Sequence, residues 1–331
     1  MKLCMVGCRG HFGYVLNDLP LLPNVSVVGV SAGTPEDKPT ALIEGARKAG
    51  HEPEVFDDYR EMLERQRPDV VCVDGPYERH AEMCVEAFRR GIHVFCEKPV
   101  ALTMEDLSAV ESAWRESGRQ FAGMMGLRYD PAVYAAWTIV KSGAIGDVRL
   151  VDTRKSYRLG ERPGFYRKRA TYGGTIPWVG SHAFDWIAWF SGRRFQTVCA
   201  RHSTAANRGH GDLEATALCL FTLEEDVLAS ASIDYLRPSN APTHGDDRIR
   251  AVGTRGVVEV MGGSVHLING EEAGERAMPA ACDRSIFRDF AGQIAGGPAG
   301  LVSGEETIEL ARISLLALRS ADEGRIVSCT A

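Results

Sequence analysis

His93-Val94-Phe95-Cys96-Glu97-Lys98-Pro99-Val100 reads as a strand with chemistry at its end. The apolar residues that follow the helix-stopping Gly91 suit a buried strand of a parallel sheet, and Glu97 and Lys98 stand where that strand finishes. Open α/β sheets bind ligands outside the carboxyl ends of their strands. Pro99 fixes its own φ and narrows the conformations open to Lys98, so the lysine is held in place. A surface Glu–Lys pair at a strand end would look the same in isolation. A cofactor site on the neighbouring strands is what would separate the two readings.

Working outward, residues 3–6 form an apolar strand that enters Gly7-Cys8-Arg9-Gly10-His11-Phe12-Gly13. A dinucleotide turn needs glycines for tightness, for close approach of the pyrophosphate and for helix packing. Gly10 and Gly13 take the last two glycine positions of that fingerprint, and Cys8 takes the first. Cys8, Arg9, Gly10, His11 and Phe12 are therefore candidate cofactor contacts, with a plain strand–helix connection as the alternative. A second strand, 25–30, runs into Ser31-Ala32-Gly33-Thr34 with no acid before Glu36 and Asp37. An acid here would bind the ribose of NAD. Its absence, with Ser31, Thr34, Lys38 and Arg9 to contact an extra phosphate, points to NADP ahead of NAD, and a plain loop remains compatible.

The alternation continues. Asp57-Asp58-Tyr59 leads a helix through Leu63, and strand 69–73 ends at Asp74-Gly75-Pro76. Residues 78–90 carry Ala81, Cys84, Val85 and Phe88 at helical spacing. Thr103-Met104-Glu105-Asp106 starts a capped helix through Trp114, and 121–125 is one more strand. Strands alternating with helices predict a Rossmann-type domain over residues 1–122. His80 lies near a strand's carboxyl end, where it faces either the cofactor crevice or its own helix packing.

At 331 residues and 44% apolar content the chain can form two domains, the second over 123–331. A net charge of -6 without a basic block argues against nucleic acid. The start lacks the apolar core of a signal peptide, and no segment reads as membrane-spanning. Nine scattered cysteines with no Cys-x-x-Cys pair suit reduced thiols, with neither a disulfide framework nor a zinc site. A soluble cytoplasmic protein is expected.

In the second domain, Asp130-Pro131 starts a helix that Gly143 stops. Strands are expected at 148–157, 195–201, 215–222, 227–235, 249–253 and 257–261. Their short turns imply antiparallel neighbours. Apolar residues on both faces of such a sheet call for a covering partner, hence a homodimer or homotetramer. Ser303-Gly304-Glu305-Glu306 caps a long helix carrying Ile308, Ala311, Leu315 and Leu318. Between the first two strands lie Tyr157, Tyr166 and Gly173-Gly174-Thr175-Ile176-Pro177-Trp178-Val179-Gly180-Ser181-His182. Ser181 can cap a helix whose first turn puts His182 and Asp185 on one face. Those two either line a pocket or serve helix packing. No third ligand is suggested, so they make a poor metal site.

Taken together, Glu97-Lys98-Pro99, Pro76 with His80, Gly126-Leu127-Arg128-Tyr129-Asp130-Pro131, the Gly143-to-Gly146 turn, and Gly173-Gly174-Thr175 followed by His182 and Asp185 resemble the Gfo/Idh/MocA oxidoreductases nearly end to end. The resemblance implies an N-terminal Rossmann domain and a C-terminal α/β domain on an open, mostly antiparallel sheet. It also implies NAD(P)-dependent hydride transfer on sugars, polyols or their derivatives. Lys98 would be the catalytic lysine, oriented by Glu97, and His182 would exchange a proton with the substrate hydroxyl. Tyr157, Tyr166, Trp178 and Asp185 would meet the substrate. Pro76 and His80 would border the cofactor. Trp178 departs from the family, since many members carry an aspartate there. That departure leaves two further readings, a ligand-sensing regulator on the same fold and an NAD-dependent glycosidase.

Overall fold

The computed structural model describes residues 1–271 and 275–330, and the chain divides into two compact units. Met1–Gly126 with Arg284–Ala311 form the first, and Leu127–Asp283 with the chain from Arg312 onward form the second. A single cut at 122/123 does not foresee the return of Arg284–Ala311 to the first unit.

The first unit runs β1 (Lys2–Val6), α1 (Gly13–Leu16), β2 (Ser26–Ser31), α2 (Thr40–Lys48), β3 (Glu54–Phe56), α3 (Tyr59–Gln66), β4 (Val70–Val73), α4 (His80–Arg89), β5 (His93–Cys96), α5 (Met104–Ser117) and β6 (Phe121–Gly123). Its six strands are all parallel, in the order β3-β2-β1-β4-β5-β6. The residues of β4 and the last three of β5 are buried, as strands covered on both faces must be. Helix starts follow local chemistry. The Asp58 side chain accepts from Arg60 N at 2.8 Å, and Thr103 Oγ1 accepts from Asp106 N at 3.0 Å. α4 begins at His80 because Tyr77–Arg79 form a separate 3-10 turn after Pro76.

The second unit contributes α6 (Pro131–Lys141), β7 (Val148–Tyr157), α7 (Arg169–Tyr172), α8 (Ser181–Ser191), β8 (Phe195–Ser203), β9 (Thr216–Leu223), β10 (Leu228–Asp234), β11 (Gly245–Gly253), β12 (Gly256–Met261), β13 (Ser264–Asn269) and β14 (Arg276–Met278). After α9 (Ile286–Ile294) and α10 (Gly304–Glu323), β15 (Val327–Ser328) completes its sheet. The strand order is β14-β13-β12-β11-β7-β10-β9-β8-β15. Every ladder is antiparallel except β7 with β10, which pair in parallel from Leu150↔Leu228 to Ser156↔Asp234. Those two strands are not joined by a turn, so turn length carries no information about their sense. α8 packs on β7, β10 and β11, and α6 packs on β12 and β13. The opposite face leaves Leu218, Leu220, Leu228 and Met261 half exposed.

α9 explains the return of the chain to the first unit. Phe287 and Phe290 each lie 5.4 Å from the Phe95 ring of β5, and Asp18 accepts from Arg288 N at 3.1 Å. Ser303 and Glu306 then form the expected capping box of α10, with Glu306 N donating to Ser303 Oγ at 3.2 Å and Ser303 N to Glu306 Oε2 at 2.9 Å.

Candidate active site

In the first unit the strand order reverses between β1 and β4, and the crevice of such a sheet opens at the carboxyl ends on either side of that point. Gly7, Asp74 and the Glu97-Lys98 pair follow the strands there. Gly7 has φ +77°, and a Cβ on it would sit 2.2 Å from Gly75 Cα, so only glycine lets the two strand ends close up. A Cβ on Gly10 would meet Glu97 Cγ at 2.6 Å and Asp74 Oδ1 at 2.7 Å. Asp74 holds the turn from beneath. Its carboxylate accepts from Gly10 N at 2.7 Å and Phe12 N at 2.8 Å, and its carbonyl accepts from Arg9 N at 3.0 Å. Asp74 was not among the candidates from sequence. A carboxylate closing an apolar strand was the available signal.

Glu97 is 0% exposed and has His11 Nδ1 at 2.8 Å and Lys98 Nζ at 3.4 Å from Oε1. Burial pushes its pKa up, but the charges of His11 and Lys98 and the His11 hydrogen bond outweigh that and hold it at about 2. Glu97 therefore stays anionic and fixes the buried lysine beside it. Asp74 shifts the opposite way, since burial and the Glu97 charge raise it well above the carboxylate range against the Phe12 and Gly10 N–H groups. The Lys98–Pro99 bond is cis.

The other candidates of this unit have structural partners. His80 is fully buried between the two chain segments that carry Lys98 and Pro76, with Nδ1 2.9 Å from Pro99 O and Nε2 3.0 Å from Gly75 O, and as a neutral imidazole it donates to one of these carbonyls. Burial lowers its pKa. Pro76 is buried at the head of the 77–79 turn. Ser31 is also buried, with its hydroxyl accepting from Gly33 N at 3.3 Å. Arg9 Nε donates to Asp37 Oδ2 at 2.6 Å. Burial, then the charges of Asp74 and Asp37, raises the pKa of the half-buried Cys8 thiol. A tight glycine turn at the reversal point of a parallel sheet is where a dinucleotide could be held, and Arg9, Gly10, His11 and Phe12 are the residues of that turn.

In the second unit, Gly173-Gly174-Thr175 leads to a π-helical turn, Ile176–Gly180, which runs without a break into α8. Ser181 is therefore not the N-cap that its sequence suggests. Its φ is already helical at -51°, and its hydroxyl donates back to Trp178 O at 3.3 Å. Glu214, which sequence reasoning missed, secures the approach loop. It accepts from Tyr172 Oη at 2.6 Å and Thr175 N at 2.9 Å, and it pairs with Arg169. Burial pushes its pKa up, but the Tyr172 and Thr175 hydrogen bonds and the Arg169 charge leave it lowered.

Trp178 is half buried, with the Tyr166 ring edge-on at 5.0 Å. His182 is buried one turn further along the helical run. Tyr157 stacks on His244 at 5.4 Å. Asp185 is buried and accepts from Arg128, Nε to Oδ1 at 2.9 Å and to Oδ2 at 3.2 Å, and Nη2 to Oδ1 at 2.6 Å. The Arg128 guanidinium also lies 5.2 Å over Trp189. Arg128 is thus a partner of Asp185 that the sequence did not indicate.

Residues 1–124 match the oxidoreductase family with an NAD-binding Rossmann fold, and residues 133–259 match the GFO/IDH/MocA C-terminal domain. A solved structure from Thermotoga maritima, assigned provisionally as an oxidoreductase, is 44% identical over 99% of this chain and 100% of its own, with a TM-score of 0.95. The oxidoreductase YrbE of Bacillus subtilis, itself uncharacterized, is 30% identical over 61% of this chain and 58% of its own length. Inositol 2-dehydrogenase of Salmonella typhimurium is 30% identical over 43% of this chain and 41% of its own. The matched stretches thus span about half the length of these two curated relatives. With both domains matched and a relative this similar across its whole length, the chain belongs to the Gfo/Idh/MocA family of oxidoreductases.

Proposed function

We propose that this protein is a nicotinamide-dependent dehydrogenase or reductase acting on a hydroxyl or carbonyl of a sugar, a polyol or a derivative of one. The observation that carries the reading is the buried Glu97–Lys98 pair at the carboxyl end of β5, beside the glycine turn braced by Asp74. The name of the relative inositol 2-dehydrogenase supports a polyol-like substrate. The nicotinamide, when bound, supplies or accepts the hydride. Hydride leaves a carbon as its hydroxyl proton is taken, so Lys98 would polarise the oxygen and His182 would exchange the proton. Trp178 would offer an apolar wall to the C–H face of the sugar, with Tyr157 and Tyr166 in contact. The free cysteines suit a reducing compartment, the cytoplasm.

For the cofactor we favour NAD. Arg9, one of four residues that the sequence offered as contacts for the extra phosphate of NADP, is paired with Asp37, and that carboxylate would repel a second phosphate. Calorimetric titration should give tighter binding of NADH than of NADPH, and Asp37→Ala should narrow the difference at least tenfold. Tighter binding of NADPH than of NADH by the parent protein would return the choice to NADP.

The activity is tested by screening sugars and polyols with each nicotinamide for an absorbance change. Turnover is expected with at least one, and Lys98→Ala should lower kcat/KM by about a hundredfold or more. Glu97 keeps His11 as its partner, so the variant should retain its circular dichroism. Cofactor binding with no turnover across the panel would instead support the ligand-sensing reading.

A further inference from the structure

We propose that the Arg158–Arg162 segment of the second unit, with Tyr235 and Trp178, is an anion subsite that takes the carboxylate or phosphate of an acidic sugar derivative. The inference rests on reading the second unit as the substrate-binding part, and it names the class of substrate.

Arg162 is surrounded by aromatic rings, its guanidinium carbon lying 5.0 Å from the centre of Tyr235 and 5.5 Å from both Tyr166 and Trp178. Its Nε donates to Leu159 O at 2.9 Å, and Nη2 reaches Arg158 O at 3.4 Å, so backbone carbonyls fix the group without neutralising it. Arg158 is fixed likewise, with Nη2 donating to Ala241 O. Among the described residues no carboxylate lies within 4.0 Å of either guanidinium. Of the acids close by, Glu214 is engaged by Tyr172, Thr175 and Arg169, and Asp247 pairs with Lys155 through Oδ2 while its buried Oδ1 has no partner among the described residues. The backbone ties Arg158 to the His244 segment, with Arg158 N donating to His244 O at 3.0 Å.

Two buried donors in the same group have no partner among the described residues, Arg158 Nε and the hydroxyl of Tyr235, a residue only 1% exposed. Buried polar atoms are nearly always satisfied in native proteins, so such atoms ask for an explanation. The inventory is two uncompensated cations and two unsatisfied donors. An acceptor carrying negative charge meets all of it, and guanidinium forks match the geometry of carboxylate and phosphate. A neutral polyol would leave the charge uncompensated. An aromatic wall beside a cation also suits a ligand with both an apolar ring face and an anionic group. Trp178 belongs to that wall.

The test is calorimetric titration of the cofactor-saturated protein at low salt with D-gluconate, D-glucuronate and D-glucose 6-phosphate, against D-glucose and myo-inositol. At least one acid is expected to bind tenfold or more tightly than the neutral compounds, and its affinity should fall as salt is raised. Whether the carboxylates or the phosphate bind identifies which anion the subsite takes. Arg162→Gln should reduce the preference to twofold or less, and Arg162→Lys should keep part of it. Arg158→Gln serves if the first variant does not fold. Neutral sugars binding as tightly as acidic ones, an unchanged preference in Arg162→Gln, or no binding of any acid at 10-fold the concentration that saturates a neutral sugar would each overturn the proposal. Oxidation of neutral sugars without acid preference would sink this inference and leave the dehydrogenase reading standing. Arg162-dependent acid binding with no turnover would do the reverse.

Discussion

Glu97 keeps its charge in the interior because Lys98 and His11 face it, and that sets the lysine at the end of β5. This much was legible from Glu97-Lys98-Pro99, since a strand end followed by a proline is a local signal. Asp74 and Glu214 were not legible, because their partners lie 64 and 39 residues away in sequence for the Gly10 and Thr175 N–H groups. Asp185 is the intermediate case. Its place one turn after His182 was readable, but its attachment to Arg128, 57 residues distant, was not. Both members of that pair are buried, so removing one strands the other's charge. Arg128→Met should cost about 3–5 kcal/mol in urea unfolding, as breaking a buried ion pair typically does. A loss below 1 kcal/mol would mean that water reaches Asp185.

Helix starts show where element-level reading succeeds and where it fails. Thr103 was readable as a cap because the residues before it are not helical, and its φ of -131° agrees. Ser181 carries the same local signal, but Pro177 and the π-helical turn have already begun the helix upstream. The two serve as a matched pair of tests. Thr103→Ala should cost about 1 kcal/mol, the usual loss of an N-cap, whereas Ser181→Ala should cost less than about 0.5 kcal/mol. A Ser181→Ala loss as large as that of Thr103→Ala would restore the capping role. The sense of the β7–β10 ladder was out of reach for a related reason. Turn lengths report only on strands that are neighbours in sequence, and here Leu150 pairs with Leu228.

At the level of the whole chain, the alternating pattern of the first 120 residues and the short turns after Val148 carried the fold class, because both are periodic signals. Oligomer formation is the matching expectation. Leu218, Leu220 and Leu228, each just over half exposed, lie on the sheet face opposite α8. Burying such a face in a two-fold partner is the common outcome. Sedimentation at micromolar concentration should show a dimer or larger, and Leu220→Asp should shift it toward monomer with little change in circular dichroism. A parent protein that sediments as a monomer would remove the partner from the account.

The return of Arg284–Ala311 to the first unit has a consequence for the order of events on the ribosome. Phe95 waits for Phe287 and Phe290, and Gly123 N waits for the Thr307 hydroxyl at 2.8 Å. The sheet built from residues 2–123 therefore cannot finish its core until residues 284–311 have left the exit tunnel. Vectorial folding, in which the first domain closes before the next emerges, is unavailable to it. During that interval the edge of β6 and the Phe95 face stay uncovered, and a nascent-chain chaperone has its longest opportunity to bind there.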